Sequence, residues 1–366
     1  MQFWVRPYNP DAGLLEDAMT EGFRPHGVML DANIAAAYPN VLKRIQSITE
    51  RLELAIDPNT AKIRTPYFRN KPTYKRLPYF SGNIPALLDL IHNAEDIVQV
   101  FTDLQINLGA SVLLSPYFLL EESHFPSSAQ LDVQRAWYAH FFRITKTTPV
   151  YASLCITAQA IATPEGFHGA LELLQPHHPE RVYLLLADFE LGQDLTLDET
   201  VVNFFRSLQE IGIREILFGR GPAWATLLFP FGLSGYVSGI NYMASLRREY
   251  FTRDEEISGI QHNYYLPRRF VRAEPRMVEQ IYAEELMGPC DCPVCAHGVP
   301  FDVNGIRRHY LFARGREATE VAGSSNPRLL LREWVKDTGD LLMQANALNI
   351  DIIGHPPVDR WARLLA

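Results

Sequence analysis

The feature of this sequence that most constrains its fold is a regular alternation of short apolar runs with longer stretches of helical character. The alternation is clearest from about residue 95 onward, and one further run precedes it. The predicted strands cover residues 28–30, 111–114, 150–156, 181–186, 215–218, 236–240 and 263–270. Short apolar strands that alternate with helices are typical of βαβ units, whose strands form a parallel sheet.

The number of these units favours a closed TIM (β/α)8 barrel over a two-domain doubly wound fold. The chain has 366 residues, 47% of them hydrophobic, which is enough for one barrel with an added subdomain. We expect a TIM-barrel domain over residues 1–285, with an irregular excursion over 55–80. A small zinc-binding and helical C-terminal subdomain is expected over 286–366.

A cluster of cysteines follows the last predicted barrel helix. Three of the four cysteines in the chain, Cys290, Cys292 and Cys295, form a C-x-C-x-x-C pattern. Thiolates at this spacing can surround one soft ion such as Zn²⁺. His309 is the nearest plausible fourth ligand, with His297 as the second choice. We therefore predict one structural zinc ion, and the alternative is a loop of free thiols or a local disulfide.

Charge and cysteine content limit the environment and the partners of the chain. The formal net charge is −8, which argues against wholesale wrapping of nucleic acid but leaves room for a local basic groove. The chain has only four cysteines, and their spacing does not resemble that of a disulfide-bonded framework, which indicates a reducing compartment. Because no signal-peptide pattern and no apolar run of membrane-spanning length occurs, we expect a cytoplasmic protein without a membrane partner.

Polar residues follow several of the predicted strands, where a TIM barrel carries its chemistry. Asp31 follows the run 28–30, and Asp188 follows the run 181–186. A carboxylate at a barrel mouth can act as nucleophile or base, so these two are the predicted catalytic residues. Gly219 and Gly221 follow the run 215–218 and can let the backbone approach a ligand. For each residue taken singly, the alternative is an ordinary turn or helix cap.

Two clusters interleave basic and aromatic residues, a combination that suits a nucleic-acid strand. The first lies within residues 64–79. The second contains Arg268, Arg269 and Arg272, which we predict to bind nucleic acid, beside Tyr264 and Tyr265. The alternative is a solvated surface whose aromatic rings face the core.

The cysteine pattern, together with a following helix that contains His309-Tyr310-Leu311-Phe312, resembles the tRNA-guanine transglycosylase family. That family includes the archaeosine enzymes and the related DNA 7-deazaguanine insertion proteins. It exchanges a guanine in a nucleic acid for a 7-deazaguanine base, and its zinc is structural. Three further segments are similar to family motifs: 28–32 to the strand end whose aspartate meets the base, 191–193 to a loop beside the base, and 216–221 to a glycine-containing strand end.

The resemblance implies that Gly192, Gln193, Gly219 and Gly221 bind the base, that Zn²⁺ is a structural cofactor, and that tRNA or DNA and a 7-deazaguanine-type base are partners. A homodimer or a partner subunit is a further expectation. The sequence also departs from the family, because Ala32 and Asn33 follow Asp31 where the family has Ser-Gly. Residues 235–239 contain no aspartate where the family has its nucleophile, and the family's zinc-binding histidine lies further along the chain than His309.

These observations support three hypotheses. The first is a divergent transglycosylase, a possible pentosyl transferase, in which a barrel-mouth carboxylate attacks the sugar C1′ and the incoming base then displaces the enzyme. The second is a catalytically silent relative that binds nucleic acid or pairs with an active subunit, which the missing aspartate favours. The third is an unrelated TIM-barrel enzyme that acts on a small metabolite and keeps a structural zinc.

Overall fold

A single parallel sheet organises the structure, a computed structural model that describes residues 1–50, 52–80, 83–145, 147–240, 246–252 and 263–366. Within these ranges the sheet has nine strands. They are β1 (Gln2–Arg6), β2 (Gly27–Asp31), β3 (Glu53–Asp57), β4 (Leu113–Leu114), β5 (Leu119–Leu120), β6 (Val150–Thr157), β7 (Arg181–Ala187), β8 (Glu215–Phe218) and β9 (Gly235–Gly239). Two further strands, β10 (Tyr264–Leu266) and β11 (Val271–Ala273), form a separate antiparallel hairpin.

The parallel strands form a nearly closed barrel with eight strand positions. Their spatial order is β3-β2-β1-β9-β8-β7-β6-β4, and β5 also pairs with β6. Strands β4 and β5 together occupy one strand position beside β6, since Leu113 pairs with Val150 and Leu119 pairs with Cys155. A parallel bridge between Ala55 and Val112 brings the two edges of the sheet together. The TIM-barrel prediction is confirmed.

Helices surround the barrel. They are α1 (Ala12–Thr20), α2 (Ala32–Ala37), α3 (Pro39–Ile48), α4 (Pro66–Asn70), α5 (Leu87–His92), α6 (Ala94–Asn107), α7 (Ala129–Ile144), α8 (Ala158–Ala162), α9 (Pro164–Leu174), α10 (Leu195–Glu210), α11 (Glu249–Thr252), α12 (Pro275–Ala283), α13 (Val303–Gly323), α14 (Pro327–Ala347) and α15 (Val358–Leu365). Residues Ala223–Phe231 form a 3-10 helix between β8 and β9.

Strand residues alternate between two apolar layers, as expected for strands that are covered on both faces. Trp4, Met29, Tyr183 and Val237 belong to the barrel interior. Their neighbours in sequence, such as Phe3 and Val28, belong to the layer under the helices. This arrangement leaves the carboxyl ends of the strands as the place where polar side chains can meet.

The structure corrects three details of the strand prediction. Residues 263–270 do not form a barrel strand, because β10 ends at Leu266 and the chain turns back through Arg268 and Phe270, both at positive φ. Strand β1 was not predicted, since it is short and follows directly on the first residue. Strand β3 was also not predicted, because most of it lies in the predicted irregular excursion over 55–80.

The C-terminal region packs closely on the barrel. Helix α13 contacts β1 and α1 and so takes the position of the eighth outer helix. The hairpin β10–β11, helix α12 and the cysteine loop lie between the last barrel strand and this helix in the chain. The domain boundary at 285/286 stays a prediction. In the described part of the chain, no helix combines the length and apolar character that crossing a membrane requires.

Candidate functional site

The four predicted zinc ligands lie together in space. One ligand atom from each of Cys290, Cys292, Cys295 and His309 can be chosen so that all lie within 4.8 Å of one another. The Nδ1 atom of His309 is 3.5 Å from the Sγ of Cys292 and 3.4 Å from the Sγ of Cys295. We call these four residues the metal corner. His297 is exposed and is not part of it.

Local structure orients each member of the metal corner. Cys292 precedes the 3-10 turn Pro293–Cys295, and the backbone N–H of Cys295 donates to the Cys292 carbonyl at 2.9 Å. His309 projects from α13 and is fully buried. Its Nε2 lies 2.7 Å from the Tyr265 carbonyl, which leaves Nδ1 facing the sulfurs. The Tyr264 ring stacks on the imidazole with 3.9 Å between ring centroids.

This arrangement can hold a metal ion. Three thiolates and one imidazole form a donor set found in structural zinc sites. A ligating histidine typically donates its second ring N–H to a carbonyl or carboxylate, as His309 does to Tyr265. The fourth cysteine, Cys155, is buried in the barrel interior and takes no part.

A second polar site lies at the carboxyl ends of the barrel strands. Arg6, at the end of β1, forms ion pairs with Asp31 at the end of β2 and with Asp57 at the end of β3, the latter at 2.8 Å. Asp31 and Asp57 are directly paired in the register of the two strands. Arg6 also donates to the Tyr183 hydroxyl at 3.1 Å. All three charged side chains are at most 7% exposed.

Asp31 faces the barrel mouth instead of capping a helix. It precedes α2, yet its side chain accepts no hydrogen bond from that helix. Burial acts to raise the pKa of Asp31, but the positive charges of Arg6, Lys62 and Arg220 outweigh burial, and the pKa is lower than usual. Asp31 is therefore held as a carboxylate. The simple capping alternative does not describe its contacts.

Two further cations complete the mouth, and sequence inspection did not select either. Lys62 is 1% exposed and donates to the Tyr74 hydroxyl at 2.9 Å. Arg220 lies between Gly219 and Gly221 and is hydrogen-bonded to the hydroxyls of Tyr8 and Tyr250. The Tyr250 ring centroid is 3.9 Å from the Lys62 Nζ and 3.7 Å from the Arg220 guanidinium carbon. We call Arg6, Asp31, Asp57, Lys62 and Arg220 the mouth cluster.

Asp188, the other predicted catalytic carboxylate, holds the segment 246–252. Its carboxylate accepts from the backbone N–H of Arg248 at 3.0 Å and pairs with the Arg248 guanidinium. Its own N–H donates to the Leu246 carbonyl at 2.8 Å. The segment that Asp188 holds carries Tyr250 to the mouth cluster. These contacts favour a positioning role for Asp188, and its catalytic role stays a prediction.

The predicted base-binding residues lie in two separate loops, the first with Gly192 and Gln193 and the second with Gly219 and Gly221. Gly192, at φ +88°, donates its N–H to the Asp198 carboxylate, and the carbonyls of Gly192 and Gln193 accept from Arg360. Both residues line a cavity together with Trp224 and Trp361.

The second loop is held by the backbone: the Gly219 N–H donates to the Leu184 carbonyl and the Gly221 N–H to the Val237 carbonyl. A side chain at Gly219 would collide with Tyr183 and Leu185 inside the barrel. Their base-binding role stays a prediction.

The arginines predicted to bind phosphates are engaged with other groups of the chain. Arg268 is exposed and pairs with Glu320 through Nε at 2.8 Å. Arg269 pairs with Asp337 at 3.2 Å. Arg272 is half-buried, with its guanidinium 5.7 Å from the Tyr310 ring centroid. Phosphate binding by Arg268 and Arg269 would have to compete with these acidic partners.

The basic-aromatic cluster within residues 64–79 covers the barrel mouth from another side. Phe68 and Tyr74 are buried, and both rings approach Lys62, at 4.6 Å and 5.6 Å from Nζ. The rings therefore face inward, as the alternative interpretation of this cluster expected. Ser238 lies in β9, and its hydroxyl is 2.8 Å from the Tyr310 hydroxyl.

Arg6, Asp57 and Lys62 were missed by sequence reasoning, and Arg220 was not chosen as a site residue although the segment 216–221 that contains it was singled out. Asp57 carried a usable signal, because it ends a short apolar run, as Asp31 does. Arg6 ends a strand that starts at the second residue, where no preceding helix marks a βαβ unit. Lys62 lies in a 3-10 turn, Thr60–Lys62, whose burial follows from the closure of the barrel.

Comparisons with known proteins add no functional argument. No protein-family model and no curated protein matches the chain. Among solved structures, the chain is similar to a GH18 chitinase from Pseudoalteromonas aurantia, at 10% identity over 64% of this chain and 93% of that chain, with a TM-score of 0.40. It is also similar to dihydrodipicolinate synthase from Thermotoga maritima, at 10% identity over 96% and 99%, with a TM-score of 0.33. Likenesses this remote leave the site to be argued from its own residues.

Proposed function

We propose that this protein is a divergent base-exchange enzyme that replaces a guanine-type base in tRNA or DNA through a covalent intermediate on Asp31. The observation that carries the proposal is the pair of carboxylates, Asp31 and Asp57, that adjacent strands hold on one arginine at the barrel mouth. The resemblance of the metal corner and of segments 28–32, 191–193 and 216–221 to the transglycosylase family supports the same reaction.

Asp31 is the better nucleophile of the two carboxylates. In the described part of the chain, Arg6 is its hydrogen-bond donor, and the bond uses one carboxylate oxygen. Asp57 accepts from Arg6, from the Tyr117 hydroxyl at 2.8 Å and from the Asn59 N–H at 2.8 Å. A carboxylate with three donors is a poor nucleophile but a good support for Arg6. Asp57 therefore positions Arg6, which in turn orients Asp31.

The metal corner takes no direct part in the proposed reaction. In this proposal the metal ion is Zn²⁺, held by the three cysteines and His309, and its role is structural. The metal corner contains a complete set of four protein ligands, which is characteristic of structural zinc sites. Its effect on the reaction is indirect, because α13 carries both His309 and the Tyr310 that bonds Ser238 at the end of β9.

Base exchange itself tests the proposal. Wild-type protein is incubated with radiolabelled guanine and either unmodified tRNA or duplex and single-stranded DNA, and label in the polymer is counted. We expect incorporation into one polymer class, its loss in Asp31→Asn, and its retention in Asp188→Asn when the variant folds. Absence of incorporation by metal-loaded wild type, with both guanine and a 7-deazaguanine base, would refute the enzymatic proposal.

One observation favours a second function, that of a barrel enzyme acting on a small metabolite. Arg268 and Arg269, the best candidates for phosphate contacts, pair with Glu320 and Asp337 of the same chain. A protein that never meets a polyanion would keep such pairs. Failure of the wild type to bind tRNA, single-stranded DNA or duplex DNA at low salt would select this function over the first.

A further inference from the structure

Lys62 is a buried amine in a place where chemistry is expected, and the mechanism described so far does not use it. It lies just after β3, in the 3-10 turn Thr60–Lys62 at the carboxyl end of the barrel. Its side chain is enclosed by three rings, those of Phe68, Tyr74 and Tyr250. Lysine is rarely buried to this extent without a carboxylate partner.

The charges around Lys62 are nearly balanced without it. Arg6 and Arg220 supply two positive charges, and Asp31 and Asp57 supply two negative charges. The protonation state of the lysine therefore sets the net charge of the mouth cluster. A buried site tolerates an excess charge poorly. The lysine is thus the member of the cluster whose proton can most easily be given up or taken back.

The pKa of Lys62 agrees with this geometry. Burial lowers it well below the ordinary lysine value; Asp31 and Asp57 oppose that effect, while Arg220 and Arg6 reinforce it. Tyr74 and Tyr250, the hydroxyl-bearing rings that face the amine, have raised pKa values, chiefly through burial, and so remain neutral donors or acceptors. An amine whose proton is lost this readily can act as a general acid and then as a general base.

We propose that Lys62 is the proton donor and acceptor of the base exchange, an inference that rests on the proposed function. The Asp31 carboxylate forms a bond to C1′ while the bond from C1′ to the base nitrogen breaks. The electron pair of that bond goes to the departing base, and the Lys62 ammonium gives that base its proton. In the second half, the incoming base gives a proton to the Lys62 amine as its nitrogen attacks C1′ and releases the Asp31 carboxylate.

The Tyr250 ring supports this assignment sterically. Its contacts with both Lys62 and Arg220 show that a flat aromatic group fits against the two cations. A flipped base entering the mouth would replace this ring and meet Lys62 at once. Tyr250 lies in α11 and not in a barrel strand, so its displacement would leave the strands of the barrel in place.

The test compares two leaving groups. Ordinary guanine needs a proton to leave, whereas N7-methylguanine already carries a positive charge and leaves without one. In Lys62→Met we expect exchange of guanine to slow by ~100-fold or more, and release of N7-methylguanine to slow by less than ~10-fold. Lys62→Arg should behave like Lys62→Met, since arginine keeps its proton. Lys43→Met, at an exposed lysine of α3, serves as the matched control.

The outcomes separate the two proposals. Equal slowing of both leaving groups, or no slowing of guanine exchange, overturns the role of Lys62 while the proposed function stands. A wild type that exchanges no base overturns the proposed function and the role of Lys62 with it. A second test uses wild-type protein and so does not depend on a variant that folds: the pKa of the ¹⁵N-labelled Lys62 amine is measured by titration. An ordinary lysine pKa near ~10.4 overturns the inference, and a markedly lower one supports it.

Discussion

The metal corner and the mouth cluster are both buried polar sites, but they are built in opposite ways. Three of the four members of the metal corner lie within six residues of sequence, and the fourth follows fourteen residues later. The members of the mouth cluster come from the ends of three strands and from two loops, between Arg6 and Arg220. The metal corner can be recognised from spacing, whereas the mouth cluster exists only once the barrel closes.

The two sites also differ in what removal of one member should do. The metal corner is proposed to hold an ion, and the binding free energy of such an ion would be part of the folding free energy. The mouth cluster contains its own counterions, so its stability depends on keeping buried charges paired. The metal corner is therefore expected to fail as a unit, and the mouth cluster to be repairable by a compensating substitution.

The largest expected effect is loss of the metal. Cys292→Ser should lower the metal content from one ion per chain and lower the free energy of unfolding by more than ~4 kcal/mol, because a structural metal contributes to folding directly. Elemental analysis and thermal unfolding measure both. Cys155→Ala, at the cysteine of the barrel interior, is the matched control and should keep the metal. Native protein that contains no zinc would show that the metal corner is not a zinc site.

The next largest effect is expected at Arg6. Arg6→Met leaves two buried carboxylates without their shared cation, which should cost ~3–5 kcal/mol of unfolding free energy. Adding Asp31→Asn to Arg6→Met should recover a large part of that loss, since one positive and one negative charge are then removed together and Asp57 remains to balance Arg220. The exposed pair of Arg44 with Glu16 gives the control, because Arg44→Ala should cost less than ~1 kcal/mol. Denaturant unfolding that shows no recovery in the Arg6→Met/Asp31→Asn double variant would contradict the account of the mouth cluster.

How much of the molecule could be predicted from the sequence follows from the same contrast. Strand β8 was predicted at its observed bounds, and β7 to within one residue, because each is an apolar run preceded by a clear helix. The four residues of the metal corner were predicted to lie together because cysteine is rare and its spacing is local. Arg6 and Lys62 could not be found in this way, since an arginine or a lysine at a loop is ordinary until barrel closure buries it. Residues 263–270 misled the prediction because a two-stranded hairpin and a barrel strand share the same apolar composition.

A smaller effect should distinguish the lysine from the arginines of the mouth cluster. Because the pKa of Lys62 is lowered in the folded state, the unfolded chain binds more protons between that pKa and ~10.4, so stability rises with pH across this window. Lys62→Met removes this dependence. Its stability relative to wild type should be greatest near pH 7 and should decline toward pH 10, as chemical unfolding at several pH values would record. A pH-independent difference, like that expected for Lys43→Met, would show that the pKa of Lys62 is not lowered in the folded state.

The smallest expected effect concerns the paired arginines near the metal corner. If Arg268 contacts phosphates, Glu320→Gln should free it and make the salt dependence of nucleic-acid binding steeper by about one counterion, while Arg268→Gln should make it shallower by about the same amount. Either substitution should change stability by less than ~1 kcal/mol, because the pair is partly exposed. Binding curves at several salt concentrations that are identical for the two variants would mean that this surface does not meet nucleic acid.

The central claim is that the mouth cluster is the active site and that Asp31 is its nucleophile. The most direct measurement is the intact mass of metal-loaded protein after incubation with guanine-containing tRNA or DNA in the absence of an incoming base, followed by peptide mapping of any adduct. The account predicts an adduct on the peptide that contains Asp31, absent in Asp31→Asn and present in Asp188→Asn. An adduct on Asp188, or one that survives in Asp31→Asn, would contradict it.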